Sequence, residues 1–215
     1  MGVKVLEAHD ADMARIFEVF SLAFARNEPF FDVLYPQHWT DAGRKAGAER
    51  LQTIKNSDPQ TTFLKAVDES TGEICGAAKW NVYDNKMPDL DTKKPLGDHW
   101  GTEDEAEFAG KMIESFLELR NAAIKKSNGN LLSLDILGID PAHQRKGIGG
   151  ALVSWGTHRA DQLGVEAIVE SSVFGKGLYV KSGFVFVKDV RIQPPEQWAG
   201  REAAEFAWLV RPKRQ

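Results

Sequence analysis

The sequence predicts a mixed α/β domain, with a central sheet of about six or seven strands and helices on both faces. Three observations predict it. Apolar residues recur three and four places apart in several long segments, as on half-buried helices. Between these lie short runs rich in Val, Ile, Leu and Phe that read as strands. From residue 131 onward the pattern alternates as strand, loop, helix, strand. Of 215 residues, 42% are hydrophobic and 27% charged, which suits one well-buried core and argues against disorder.

Val3 to Ala8 reads as a first strand. Asp10 or Asp12 offers an N-cap, and Met13, Ile16, Phe17, Phe20 and Phe24 form one face of a helix running to about Arg26. Pro29 to Pro36 is expected to be an aromatic-rich loop. Thr40 caps a second helix carrying Ala46, Leu51 and Ile54, which stops before Asp58-Pro59. Strands at Thr61 to Val67 and Ile74 to Tyr83 flank a hairpin loop. Residues 84 to 101 hold breakers and acids and read as a polar loop.

Thr102 with Glu105 forms a capping box, opening a helix striped by Ala109, Met112, Ile113, Phe116, Leu117 and Ile124; Asn128-Gly-Asn130 ends it. Leu131 to Ile139 is apolar enough for a buried strand, which Pro141 stops. A helix from about Gly147 to Leu163 ends at Gly164. Val165 to Val169 is the next strand, and Lys176 to Lys181 a short helix stopped by Gly183. Phe184 to Val187 and Ala207 to Val210 are late strands expected to pair antiparallel.

A formal net charge of -4 supplies no bulk basic field for nucleic acid or anionic lipid. Cys75 is the single cysteine, so no internal disulfide can form, which suits a reducing compartment. The apolar runs fall short of the ~20 residues of a membrane-spanning helix. The first residues carry no signal-peptide pattern, and Leu6 stands where a myristoylation site needs Ser or Thr. A soluble cytoplasmic protein, monomeric or homodimeric, with no nucleic-acid or membrane partner, is the expectation. The five histidines and one cysteine form no HExxH or CxxC pattern, so no metal is expected.

The most informative segment is Asp140-Pro-Ala-His-Gln144-Arg145-Lys146-Gly147-Ile148-Gly149-Gly150, which leads from a strand into a helix. A helix start leaves four N–H groups unpaired and carries roughly half a positive charge. Glycines let backbone approach an anion without a Cβ in the way. Arg145 and Lys146 add fixed positive charge, so the segment predicts a phosphate or pyrophosphate site. The dinucleotide fingerprint would need Gly or Ala where Leu152 stands, and Gly175-Lys176 is followed by Gly177 rather than Ser or Thr. Neither alternative fits.

The spacing Gln144-x-x-Gly147-x-Gly149 after an apolar strand resembles the acetyl-CoA signature of the general-control-related N-acetyltransferase (GNAT) superfamily. Leu178-Tyr179-Val-Lys-Ser-Gly183-Phe184 resembles the family's Leu-Tyr-x-x-x-Gly-Phe, and Leu131 to Pro141 its fourth strand. Val169-Glu-Ser-Ser-Val-Phe-Gly175 is similar to a large fungal-type branch of the family. The resemblance is strongest over 131–187, follows element order over 1–83, and is weak over 84–130.

That resemblance implies a single N-acetyltransferase domain over 1–215, with a mostly antiparallel sheet splayed between strands 4 and 5. It implies an enzyme that moves an acetyl group from acetyl-CoA, a co-substrate, to a primary amine on a small molecule or peptide. A non-catalytic acyl-CoA-binding module is the alternative. Leu137, Gly138 and Ile139 would pair with the pantetheine arm, and Gln144, Arg145, Lys146, Gly147, Ile148, Gly149 and Gly150 would hold the pyrophosphate. Ser172, where many relatives have Asn, would contact the cofactor. Tyr179 would protonate the departing thiolate, for which a phenol with an ordinary pKa near 10 is suited.

For the base, two carboxylates stand out. Asp135 lies two residues before Leu137, hence on the same side of a regular strand, and Glu170 lies two before Ser172. Either would take the amine's proton or anchor the amine. The flanking segments carry Phe30, Phe31, Tyr35, Trp39, Asp89, Asp91, Asp98 and Trp100, which as a cleft border would favour a cationic amine.

Overall fold

The computed structural model describes residues 2–90 and 99–214; Asp91 and Asp98 lie outside them. Seven strands form one sheet: β1 (Val3–Glu7), β2 (Thr61–Asp68), β3 (Ile74–Tyr83), β4 (Leu131–Ile139), β5 (Glu166–Ser171), β6 (Val185–Ile192) and β7 (Ala204–Arg211). Their spatial order is β1-β2-β3-β4-β5-β7-β6, and the β4–β5 pair alone is parallel. The α-helices among the described residues are α1 (Met13–Phe24), α2 (Pro29–Leu34), α3 (Asp41–Ser57), α4 (Glu103–Lys126), α5 (Ile148–Leu163) and α6 (Lys176–Lys181).

Cap chemistry sets several boundaries where the sequence places them. Thr40 Oγ1 accepts the Gly43 N–H, and Thr102 Oγ1 accepts the Glu105 N–H. Glu105 departs from the expected box, its carboxylate taking the Gly101 N–H rather than that of Thr102. Gly164, at φ 66°, closes α5 in the left-handed region. One expected loop is helical: Pro29 stands at the first turn of α2, where its missing N–H costs nothing.

The two faces of the sheet are covered by different helices. Trp80, Leu132, Leu134, Leu152, Val153 and Leu209 form the core under α5. On the opposite face Phe17, Phe20, Phe31, Tyr35 and Leu51 pack α1, α2 and α3 together. Beside them Phe108, Met112, Ile124, Trp198 and Trp208 seat α4 over the β5–β7 half.

Two irregularities of β4 position the site. Its pairing with β3 slips between Lys79–Ile136 and Trp80–Leu134, leaving Asp135 as a bulged extra residue. Its pairing with β5 covers only Leu131–Glu166 to Leu134–Val169. Past that point β5 pairs with β7 through Glu170–Trp208 and Ser171–Ala207, while β4 continues on β3. The two parallel strands therefore fork, and the β4 edge at residues 136–139 faces the opening without a strand partner.

Candidate active site

The fork runs toward the turn from β4 to α5. Asp140 tightens this turn, accepting the Ala142 N–H at 3.0 Å and a bond from Arg15 at 2.5 Å. Arg145 and Gly147 both have positive φ, 64° and 84°. Left-handed residues in such a turn aim successive N–H groups into one concavity. In α5 the Ala151 N–H bonds back to Gly147, so the amides of Ile148, Gly149 and Gly150 have no place in the helical ladder. A Cβ built on Gly147 or Gly150 would meet nothing within 4 Å, so the turn is uncrowded at both residues. The donor set fits a diphosphate. Gln144 differs from its fellows: its side-chain amide donates to Ile139 O at 3.3 Å and closes the turn.

The bulge corrects the expected placement of Asp135. It does not share a face with Leu137. The extra residue turns Asp135 toward the α1/α4 face, whereas Leu134, Leu137 and Ile139 pack with the α5 core. There Asp135 Oδ1 accepts from Arg120 Nη1 at 2.5 Å and Ser133 Oγ at 2.9 Å. Its Oδ2 accepts from Lys79 Nζ at 2.7 Å and Asn81 Nδ2 at 2.9 Å. Burial opposes ionisation, but Arg120 and Lys79 outweigh it and hold the carboxyl down at about 2.

Glu170 lies in the same cluster, bound bidentately by Arg120 Nε and Nη2 at 3.1 and 2.6 Å, with its side chain 1% exposed. Burial lifts its carboxyl above the usual range, against the pull of Arg120. Both carboxylates are bound by Arg120, and Asp135 has two donors on each oxygen. A group with four donors and a depressed pKa is a weak proton acceptor near neutrality.

Tyr179 is buried on α6, edge-on to Phe184 at 5.8 Å between centroids. Its hydroxyl has no hydrogen-bond partner among the described residues, and burial alone pushes the phenol above its ordinary range. It therefore carries its proton at neutral pH. Ser172, just past β5, accepts the Gly175 N–H at 3.3 Å on its hydroxyl oxygen. The same hydroxyl lies close enough to the Glu28 carboxyl to favour its ionised form.

Glu28 was not singled out in the sequence. It is the N-cap of α2, half-buried, and burial raises its carboxyl while the Ser172 hydroxyl opposes that rise. Its position is set from behind: Asp32 on α2 bonds His38 Nε2 at 2.9 Å, and His38 Nδ1 meets Ser21 Oγ of α1 at 2.9 Å. The available signal was an acid directly before a proline in an aromatic segment. Arg120 and Lys79 were missed as well. Arg120 stands four after Phe116 and four before Ile124, a charge on the apolar stripe of α4.

Phe30 stacks on Phe116 at 3.8 Å and Phe116 leans on Phe206 at 4.8 Å. Phe206 follows the Ser171–Ala207 pair along β7, which brings it across from Ser172. The other expected cleft aromatics are engaged elsewhere. Phe31 and Tyr35 sit in the core with Phe17, Trp39 lies under Arg26 at 4.1 Å, and Trp100 is buried with its indole N–H on Val33 O.

Residues 100–193 match the model of the acetyltransferase (GNAT) domain family. No curated protein matches the chain by sequence. Among solved structures, arylalkylamine N-acetyltransferase 2 from Aedes aegypti is 15% identical with a TM-score of 0.66, covering 98% of this chain and 98% of its own. An agmatine N-acetyltransferase S171A mutant is 18% identical with a TM-score of 0.64, covering 97% and 98%. A phosphinothricin acetyltransferase from Sinorhizobium meliloti in complex with acetyl-CoA is 18% identical with a TM-score of 0.56, covering 99% and 89%. The fold, with its forked β4–β5 pair and flanking helices, is the GNAT fold.

Proposed function

We propose that the chain is an acetyl-CoA-dependent N-acetyltransferase acting on a primary amine of a small molecule. The observation that carries this reading is the continuity of the unpaired β4 edge with the open amides at the start of α5. An extended amide-bearing arm and a diphosphate need those two surfaces in that order. Leu137, Gly138 and Ile139 offer backbone to the arm; Arg145, Lys146, Gly147, Ile148, Gly149 and Gly150 offer N–H groups to the diphosphate.

Acetyl-CoA supplies the activated acetyl carbonyl, and the chain's residues supply the rest. Glu28 takes the proton that the ammonium must lose before its nitrogen can attack, and its raised pKa brings it closer to that task. Ser172 orients that carboxylate. An open-edge N–H of β4 takes up negative charge growing on the carbonyl oxygen. Tyr179 delivers its proton to sulfur as the carbon–sulfur bond breaks. Asp135 and Glu170 hold the cleft rather than exchange protons.

Phe30, Phe116 and Phe206 border the acceptor side beside Glu28, which favours an amine on an apolar or aromatic skeleton. Two solved structures of this fold are named for amines, arylalkylamines and agmatine, which agrees with a small acceptor. The test is thiol release from acetyl-CoA across aromatic amines, polyamines, amino acids and peptides. Turnover with none of them, in a protein that binds CoA, would leave an acyl-CoA-binding module instead.

A further inference from the structure

We infer that Arg120 is a positioning residue that sets the opening of the β4–β5 fork, and with it the seat of the pantetheine arm. The inference rests on the acetyltransferase reading above. Its basis is where the ion cluster lies. The last β4–β5 pair is Leu134–Val169, so Asp135 and Glu170 are the first residues beyond it on each strand. Were the ladder to run one residue further, two carboxylates would come side by side at a strand spacing of about 4.8 Å and repel.

A guanidinium from neither strand fills that place. Arg120 comes from α4, its side chain 8% exposed, and spends one amino group on Asp135 and the fork of two nitrogens on Glu170. The planar bidentate grip fixes direction as well as distance. Lys79 and Asn81 of β3 hold the other oxygen of Asp135 and so pin the bulge from the far side. The charges balance, two carboxylates against two cations. α4 thereby holds the strands at the separation where their backbone pairing ceases.

A cluster that only stabilised the fold would affect every ligand alike. One that sets the fork acts on the arm lying in it and leaves the diphosphate at α5 alone. The test compares, by calorimetry on the full chain, CoA with 3′-phosphoadenosine 5′-diphosphate, which lacks the pantetheine arm. Two variants are used. Arg120→Lys keeps a charge but cannot bridge both acids. The combination Lys79→Met, Arg120→Met, Asp135→Asn and Glu170→Gln leaves no uncompensated buried charge.

Both variants should bind the nucleotide within about twofold of wild type, lose about tenfold for CoA, and lose on the order of 100-fold in kcat from misplacement of the reacting carbonyl. Equal losses for both ligands, or none, would overturn the fork role while leaving the enzyme reading intact. If neither variant folds, the cluster serves stability alone and the inference falls. A wild-type chain that binds neither ligand would instead overturn the acetyltransferase reading.

Discussion

Replacing Gly147 by Ala adds one methyl at the site on which the cofactor assignment turns. Its magnitude can be worked from the local geometry. No atom lies within 4 Å of the new Cβ, so the free protein suffers no clash. Its cost is the backbone at φ 84°, about 1–2 kcal/mol for a non-glycine residue in the left-handed region. For a chain of this length that lowers Tm by roughly 2–8 °C. Binding should suffer more. The methyl occupies the approach to the α5 amides, and loss of one charge-assisted bond there costs about 1.5–3 kcal/mol, roughly 10- to 100-fold in Kd.

Gly150→Ala is the control for backbone strain alone. Its Cβ also meets open space, but its φ is ordinary and it lies in the first turn of α5. The exchange should raise stability by up to about 1 kcal/mol through helix propensity. Differential scanning fluorimetry and isothermal calorimetry with CoA read both effects. A folded Gly147→Ala protein that binds CoA like wild type would refute the diphosphate seat.

Tyr179→Phe should lower kcat by roughly 100-fold or more with CoA affinity and Tm little changed; an unaltered kcat in the thiol-release assay removes the phenol from the reaction. Glu28→Gln should do the same to acetyl transfer and abolish the acid limb of the kcat/KM profile, which rises as pH passes the raised pKa of Glu28; a persistent limb would point to another base. Gly156→Ala should lower Tm, because the added methyl overlaps the Trp80 indole under α5, at about 1–3 kcal/mol for overpacking; an unshifted melt would mean that α5 can lift off Trp80. Acid should weaken the fold through Asp135. Its carboxyl is depressed to about 2 from an ordinary 3.8, so its stabilisation is full above pH ~4 and disappears as pH falls through 2, about 2–3 kcal/mol in all. Asp135→Asn should flatten that part of a circular-dichroism acid titration.

Element types were legible because local signals and burial agree. Thr40, Thr102 and Gly164 mark helix ends by cap chemistry that needs no tertiary context. The tight turn before α5 was legible for the same reason, since it is built from consecutive residues. Asp135 was misplaced because strict alternation assumes a regular ladder, and a one-residue bulge inverts the face of everything on one side of it. Nothing in Leu131 to Ile139 announces that bulge; it depends on the pairing with β3. The α2 helix was hidden by Phe31 and Tyr35, whose bulk suggested a loop when it serves the core below.

The same distinction bears on the two strand carboxylates. Strand carboxylates near a splayed sheet attract notice, yet a charge on a strand flanked by helices is buried and must be paired. Pairing engages its oxygens with cations on the α4 side, away from the cleft. Glu170 at 1% exposure and Asp135 with four donors are the outcome. In the proposed reaction the base instead comes from a segment that is less deeply buried than either strand. Glu28 fits that proposal: its backbone caps α2, which the Asp32–His38–Ser21 chain anchors to α1, and its side chain is half-buried near the Ser172 hydroxyl. Phe30 stands two residues after Glu28, so the proposed function ties amine choice and proton removal to neighbouring residues. Exchanging Phe30 should therefore shift KM among acceptors and move kcat with it, through the seat of Glu28.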